Sequence, residues 1–176
     1  MGPMLRTSFA VLSTIGLCIG IFIYGDSFFG LMAGPVSNAQ PWSLWVFVGA
    51  LIVAVPTAIV EYDGTLLNYR NYWKRYAELR PTWATVAVQC AWGLALLHMA
   101  AFFVITHGGS PDIVNGSYVL SDHGKIIRDL TEAEYLKLAG WETRFMASFL
   151  IAIYLHQAVY WWYPSAKLKA RNDYDA

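Results

Sequence analysis

The feature that most constrains this chain is a run without a formal charge from Phe145 to Tyr163. At the rise of an α-helix it covers about 28 Å, the thickness of one hydrocarbon core. The run closes on Tyr160-Trp161-Trp162-Tyr163 and then Pro164, an interfacial aromatic belt followed by a helix stop. Upstream, Thr131 and Glu134 have capping-box spacing, and the turns that follow, Glu132 to Glu142, are polar. The stretch is predicted as one long helix with a wet start, a membrane-spanning body over 145–163 and an aromatic inner end.

Three further segments share this character. Span one is predicted over 8–24, where Gly16 and Gly20 form the Gly-x-x-x-Gly pattern that lets another helix approach closely. Arg6 ahead of this apolar run resembles the start of a signal peptide, but the segment is read as a retained span. Span two is predicted over 42–60. Trp42 and Trp45 mark one boundary, Tyr62 marks the other, and Pro56 should kink the helix. Span three is predicted over 83–106. There Ala84, Ala87, Ala91, Ala95 and His98 recur three or four apart and make a small-residue packing face.

Composition agrees. The 176 residues are 57% apolar and 14% charged, against about 25% charged in an ordinary soluble domain. The formal net charge is zero, so no global field recruits nucleic acid. Cys18 and Cys90 lie in apolar spans without a Cys-x-x-Cys pattern, and they read as packed hydrophobes.

The connections carry the remaining signals. Residues 25–41 read as an apolar loop whose Phe28, Phe29, Leu31 and Met32 dip into the interface or cover the bundle end. Glu61 and Asp63 read as a solvated helix end. Residues 65–80 repeat Leu66, Tyr69, Trp73 and Tyr76 at helical spacing with Arg70, Lys74 and Arg75 between them. That pattern predicts an amphipathic helix on the bilayer surface, rings inward and cations toward lipid phosphates. Residues 107–130 change to short strand-like runs. Asn115-Gly116 is the favoured pair of a two-residue hairpin turn, and Asp122-His123-Gly124 supplies a second turn. A three-stranded meander is expected, docked on the start of the long helix because so small a sheet is marginal alone.

Cation placement orients the spans. Arg6, the four cations of 65–80 and the three that follow Pro164 fall on one side, eight in all. The other side has four, mixed with acids. The positive-inside rule then puts both termini in the cytoplasm of a plasma or inner membrane, with the meander outside.

The fold class expected is an all-α four-span membrane bundle with an extracytoplasmic β-meander. Its candidate chemistry centres on His98 and His156, because intramembrane ionisable groups are functional suspects by default. They lie about 12 Å and about 16 Å in from the outer ends of their spans. Two imidazoles at matched depth could ligate one haem b, or pass protons with Gln89, Gln157 and Tyr160. The competing expectation is that each packs and hydrogen-bonds between helices. His107, Asp112, Asp122 and His123 are metal-capable without a characteristic spacing. Arg144 stands where the helix enters the membrane, placed to meet headgroups, an acid of the meander or an anionic ligand. There is no His-Glu-x-x-His, no phosphate-binding glycine loop and no Gly-x-Ser-x-Gly. The functional expectation is a non-enzymatic assembly, accessory or sensor module in a homo-oligomer or larger membrane complex. A redox subunit with one haem b and an oligomeric pore are the alternatives.

Overall fold

The computed structural model describes residues 3–29, 41–61 and 69–163. The elements are α1 (Pro3–Phe29), α2 (Pro41–Glu61), α3 (Tyr69–Glu78), α4 (Thr82–Thr106), β1 (Ser110–Val114), β2 (Ser117–Asp122), β3 (Lys125–Asp129) and α5 (Glu132–Trp162). The protein is mostly helical, and α1, α4 and α5 are long and apolar enough to cross a membrane. The apolar part of α2, Val46–Ile59, is shorter.

Everything is arranged around α5. Its 31 residues span about 46 Å, half as long again as a hydrocarbon core. It starts where the sequence places it: Thr131 Oγ1 accepts from Glu134 N at 3.3 Å, and Thr131 N donates to Glu134 Oε2 at 2.9 Å. Each half of this box satisfies a donor that the helix start would leave open. Arg128 Nη1 adds a bond to Glu134 Oε1 at 3.0 Å.

Helices α1 and α4 run antiparallel to α5. On the α1 side, Phe9 stacks on Trp161 at 5.2 Å, Gly16 faces Tyr154, and Arg144 reaches Ser27. On the α4 side, Phe102 stacks on Phe145, Ala95 packs with Ala152, and Val88 packs with Val159. On the α4 side each step is seven residues down one helix and seven up the other, the repeat of helices packed in a coiled-coil-like seam. The buried face of α4 follows from it: Ala84, Val88, Ala91, Ala95, His98 and Phe102. Helix α2 runs parallel to α5, since Gly49 and Ala50 meet Tyr154 while Thr57, further along α2, meets Gln157, further along α5. The four long helices thus alternate in direction.

The outward faces of α1, α2 and α4 are apolar, with Ile15, Phe22, Leu51, Ile59, Leu97 and Val104 among the exposed side chains. The inward faces bury small or hydroxyl residues such as Ala10, Ser13, Ala50 and Thr57. Bulk outside and small residues inside is the pattern of helices packed in lipid.

The sheet is a meander in the order β1-β2-β3, both pairs antiparallel. Asn115 and Gly116 have φ of 52° and 81°, and His123 and Gly124 have 49° and 82°. Both loops therefore carry the two left-handed positions of a type I′ hairpin, whose twist matches the strands. Leu120, Leu130, Tyr135 and Leu138 form the core that joins the sheet to the first turns of α5.

Three expectations need correction. Helix α1 runs on to Phe29, so residues 25–29 of the expected loop are helical; Leu31 and Met32 lie outside the described residues, as do Asp63, Pro164 and the cations after it. The helix expected over 65–80 is described over Tyr69–Glu78 and ends two residues earlier than expected, and residues 65–68 lie outside the described residues. Tyr76 does not face lipid but is buried with Ala84, Val88 and Val159, and Trp73 packs beside it, while the side chains of Leu66 and Tyr69 lie outside the described residues. Lys74 is exposed, while the side chains of Arg70 and Arg75 lie outside the described residues.

Candidate functional site

Two polar and aromatic clusters sit at opposite ends of α5. At the end away from the sheet, Arg80 is only 6% exposed, and its guanidinium lies 3.9 Å from the Tyr76 ring centre and 4.9 Å from that of Tyr160. Two ring faces hold the buried cation where water is excluded. Next to it, His156 Nδ1 accepts from Trp92 Nε1 at 3.4 Å, and its ring lies 4.9 Å from Tyr76 and 5.8 Å from Trp73. Tyr76 Oη donates to the His156 carbonyl at 3.5 Å. Three helices, α3, α4 and α5, are joined through this cluster.

At the sheet end, His98 Nε2 is hydrogen-bonded to Tyr24 Oη at 3.4 Å, with the Trp141 ring tilted against the imidazole at 6.3 Å between centres. Arg144 shares that tryptophan. Its guanidinium lies 5.0 Å from Trp141 and 4.5 Å from Phe28, and Nη2 donates to the Ser27 carbonyl at 3.1 Å. The arginine expected to meet headgroups or an acid instead ties α5 to the last turn of α1.

One site was not expected. Glu142 is 5% exposed, and its Oε2 has no hydrogen-bond partner. It precedes the uncharged 145–163 stretch and faces the sheet. Burial, and then the Asp112 carboxylate on β1, raise its pKa to about 7. Tyr135 stands two turns earlier on the same face. It is 3% exposed, its hydroxyl has no partner, and burial followed by Glu142, Asp112 and Tyr118 pushes its pKa to about 12. The signal was present in the spacing. Glu142 falls four and seven residues after Leu138 and Tyr135, on the helix face that packs against the sheet.

The other predicted residues fall as follows. Gly16 and Gly20 both face α5, so their partner is internal. A Cβ on Gly16 would overlap the Tyr154 ring, and one on Gly20 would lie 3.2 Å from Ile151 Cγ1. Ala91 is buried against Ala152, whereas Ala87 is half-buried at the side of the seam. Gln157 bonds Thr57 of α2, and Gln89 is exposed, so the two do not join His156 in one chain of donors. Among the described residues, no group of three or more metal-capable side chains converges. Asp122 bonds its neighbour His123 in the β2–β3 turn, and His107 closes α4 in the left-handed conformation.

The matched depth of His98 and His156 is not reproduced. In the heptad register of α4 on α5, His98 stands opposite Phe149, one heptad or about 10 Å from His156. Each ring is engaged by a different helix.

These features define a helical protein with three helices able to cross a membrane and a small antiparallel sheet docked on the longest. The chain matches no protein-family model, and no curated protein or solved structure matches it.

Proposed function

We propose that the chain is a four-span integral membrane protein with both termini cytoplasmic. On this reading it acts as a non-enzymatic assembly, accessory or sensor module in a homo-oligomer or larger membrane complex. The observation that carries the reading is the continuity of α5, a single helix from the sheet through the bundle to the Arg80 cluster. A change at the sheet is coupled to the far end through one stiff element to which α1, α2, α3 and α4 are all attached. Polar groups inside the bundle are used for such attachments: Tyr24 with His98, Trp92 with His156, Tyr154 with Val46 and Thr57 with Gln157.

The four-span arrangement is supported by the alternation of helix direction, by the apolar outward faces and by the cations gathered on one side. Helix α2 counts as a span because its 21 residues reach about 31 Å and it runs parallel to α5. The sheet then stands outside and the Arg80 cluster faces the cytoplasm. A pore would have to form between copies, since α5 fills the centre of one chain.

The test is purification in mild detergent, with particle mass, co-purifying chains and visible spectrum read together. The expected result is a mass above that of one chain and no Soret band. A lone monomer in every mild detergent overturns the assembly reading. A Soret band lost in His98→Ala and in His156→Ala overturns the module reading in favour of a haem subunit.

A further inference from the structure

We propose that Glu142, Asp112 and Tyr135 form a proton-binding site at the seam between the meander and α5, and that one bound proton holds the meander against the helix. The proposal deepens the sensor reading and rests on it for the side of the membrane whose acidity is read.

Geometry comes first. Glu142 and Tyr135 belong to α5, and Asp112 belongs to β1, so the site bridges the two bodies that must stay docked. Two of its polar atoms, Glu142 Oε2 and Tyr135 Oη, are buried and without a partner. A buried carboxylate left open costs far more as an anion than as a neutral acid. Protonation turns Glu142 from an acceptor into a donor, and the neighbouring acceptors are the Asp112 carboxylate and the Tyr135 hydroxyl. Asp112 Oδ1 accepts from the Ile113 backbone N–H at 2.8 Å, which fixes the carboxylate on β1. A divalent cation is the poorer occupant. Calcium takes six to eight oxygens, and the seam offers two carboxylates and one phenol.

The charged and titratable groups around Glu142 are consistent. From the sheet it faces Asp112 of β1 and, next to Tyr135, Tyr118 of β2. On its own helix Tyr135 points into the seam, while Arg144 is turned to Ser27 and Phe28 of α1 and does not neutralise the site. From α4, His98 faces Tyr24 and Trp141 instead. Burial and Asp112 hold Glu142 protonated up to about pH 7. The folded group is raised above its ordinary value, so its contribution to docking is fully present below the ordinary carboxylate range. It is lost as pH rises through about 7.

The experiment uses the full chain in mild detergent. Infrared difference spectra between about pH 5.5 and about pH 8.5 read the protonated carboxyl. Hydrogen exchange of residues 110–122, corrected for the pH dependence of intrinsic exchange, reads docking. The wild type should lose a protonated-carboxyl band and about tenfold of its protection together as pH rises. Glu142→Gln should lack that band and keep its protection at both pH values. Asp112→Asn should move both transitions toward the ordinary carboxylate range, and it serves alone if Glu142→Gln does not fold. Absence of the band in the wild type at every pH overturns the site. A titrating band without a change in protection overturns the latch. A cysteine at Ser121 that reacts only after lysis would remove the sidedness of the sensor reading and leave both titrations standing.

Discussion

The Tyr154 hydroxyl donates to the carbonyl oxygen of Val46 at 2.7 Å, and it reaches that oxygen through a slot made by two glycines. Gly16 of α1 lies against the ring, and Gly49 of α2 lies beside the hydroxyl, where a Cβ would stand 2.7 Å from the oxygen. One side chain of α5 therefore joins three helices. Small residues let the backbones close, and the polar tip is satisfied by the helix it crosses.

Tyr154→Phe keeps the ring and removes the bond, so the expected cost is about 1 kcal/mol. Gly16→Ala puts a methyl group into the ring itself and should cost more than Gly20→Ala, whose neighbour Ile151 Cγ1 is 3.2 Å away and can shift. Thermal unfolding in detergent, followed by circular dichroism, gives the order. Equal tolerance of alanine at both glycines would mean that the Tyr154 slot is absent.

Arg80→Lys should weaken the junction of α3 with the bundle, although the charge is kept. The guanidinium lies over both the Tyr76 and Tyr160 rings, whereas an ammonium is a compact, strongly hydrated point charge. The expected loss is about 1–2 kcal/mol. It should be read as faster proteolysis near Tyr69–Glu78 with the sheet unaffected. Unchanged cleavage there would show that the rings do not hold the cation.

Thr131→Ala should cost about 1 kcal/mol and fray the start of α5. The capping box has its own pH signature. The Thr131 backbone N–H, then Arg128 and the Thr131 hydroxyl, hold the Glu134 carboxylate below its usual range. Its folded pKa is depressed, so its stabilisation is present above the ordinary carboxylate value and is lost as pH falls through the folded one. Exchange at the first turn of α5 should rise on acidification in the wild type and be less pH-sensitive in Thr131→Ala. This direction is opposite to that expected for Glu142, so the two acids of one helix are separable.

Sidedness is tested in intact cells on a background in which Cys18 and Cys90, both on exposed faces, are replaced by alanine. A cysteine at Ser121 should react with an impermeant reagent from outside, and one at Asn71 only after lysis. The reverse pattern would invert the orientation.

Much of this fold was legible locally. The type I′ turns at Asn115-Gly116 and His123-Gly124, the capping box at Thr131 and the long apolar helices depend on residues a few positions apart. Their signals survive in a single sequence. The helix that carries Tyr76 was legible as a helix, but the direction of its rings was not, because lipid and a neighbouring helix are equally apolar targets.

What the sequence determined by itself was which segments become helices or strands, where α5 and the hairpins begin, and which faces are apolar. Each follows from periodicity, capping and turn chemistry within a few residues. Only the tertiary structure decided that α5 is central, that His98 and His156 stand one heptad apart, and that Glu142 is buried within the electrostatic reach of Asp112. Those facts depend on the register between elements far apart in the chain, and register is chosen by the packing of Phe102 on Phe145, Ala95 on Ala152 and Tyr154 between two glycines.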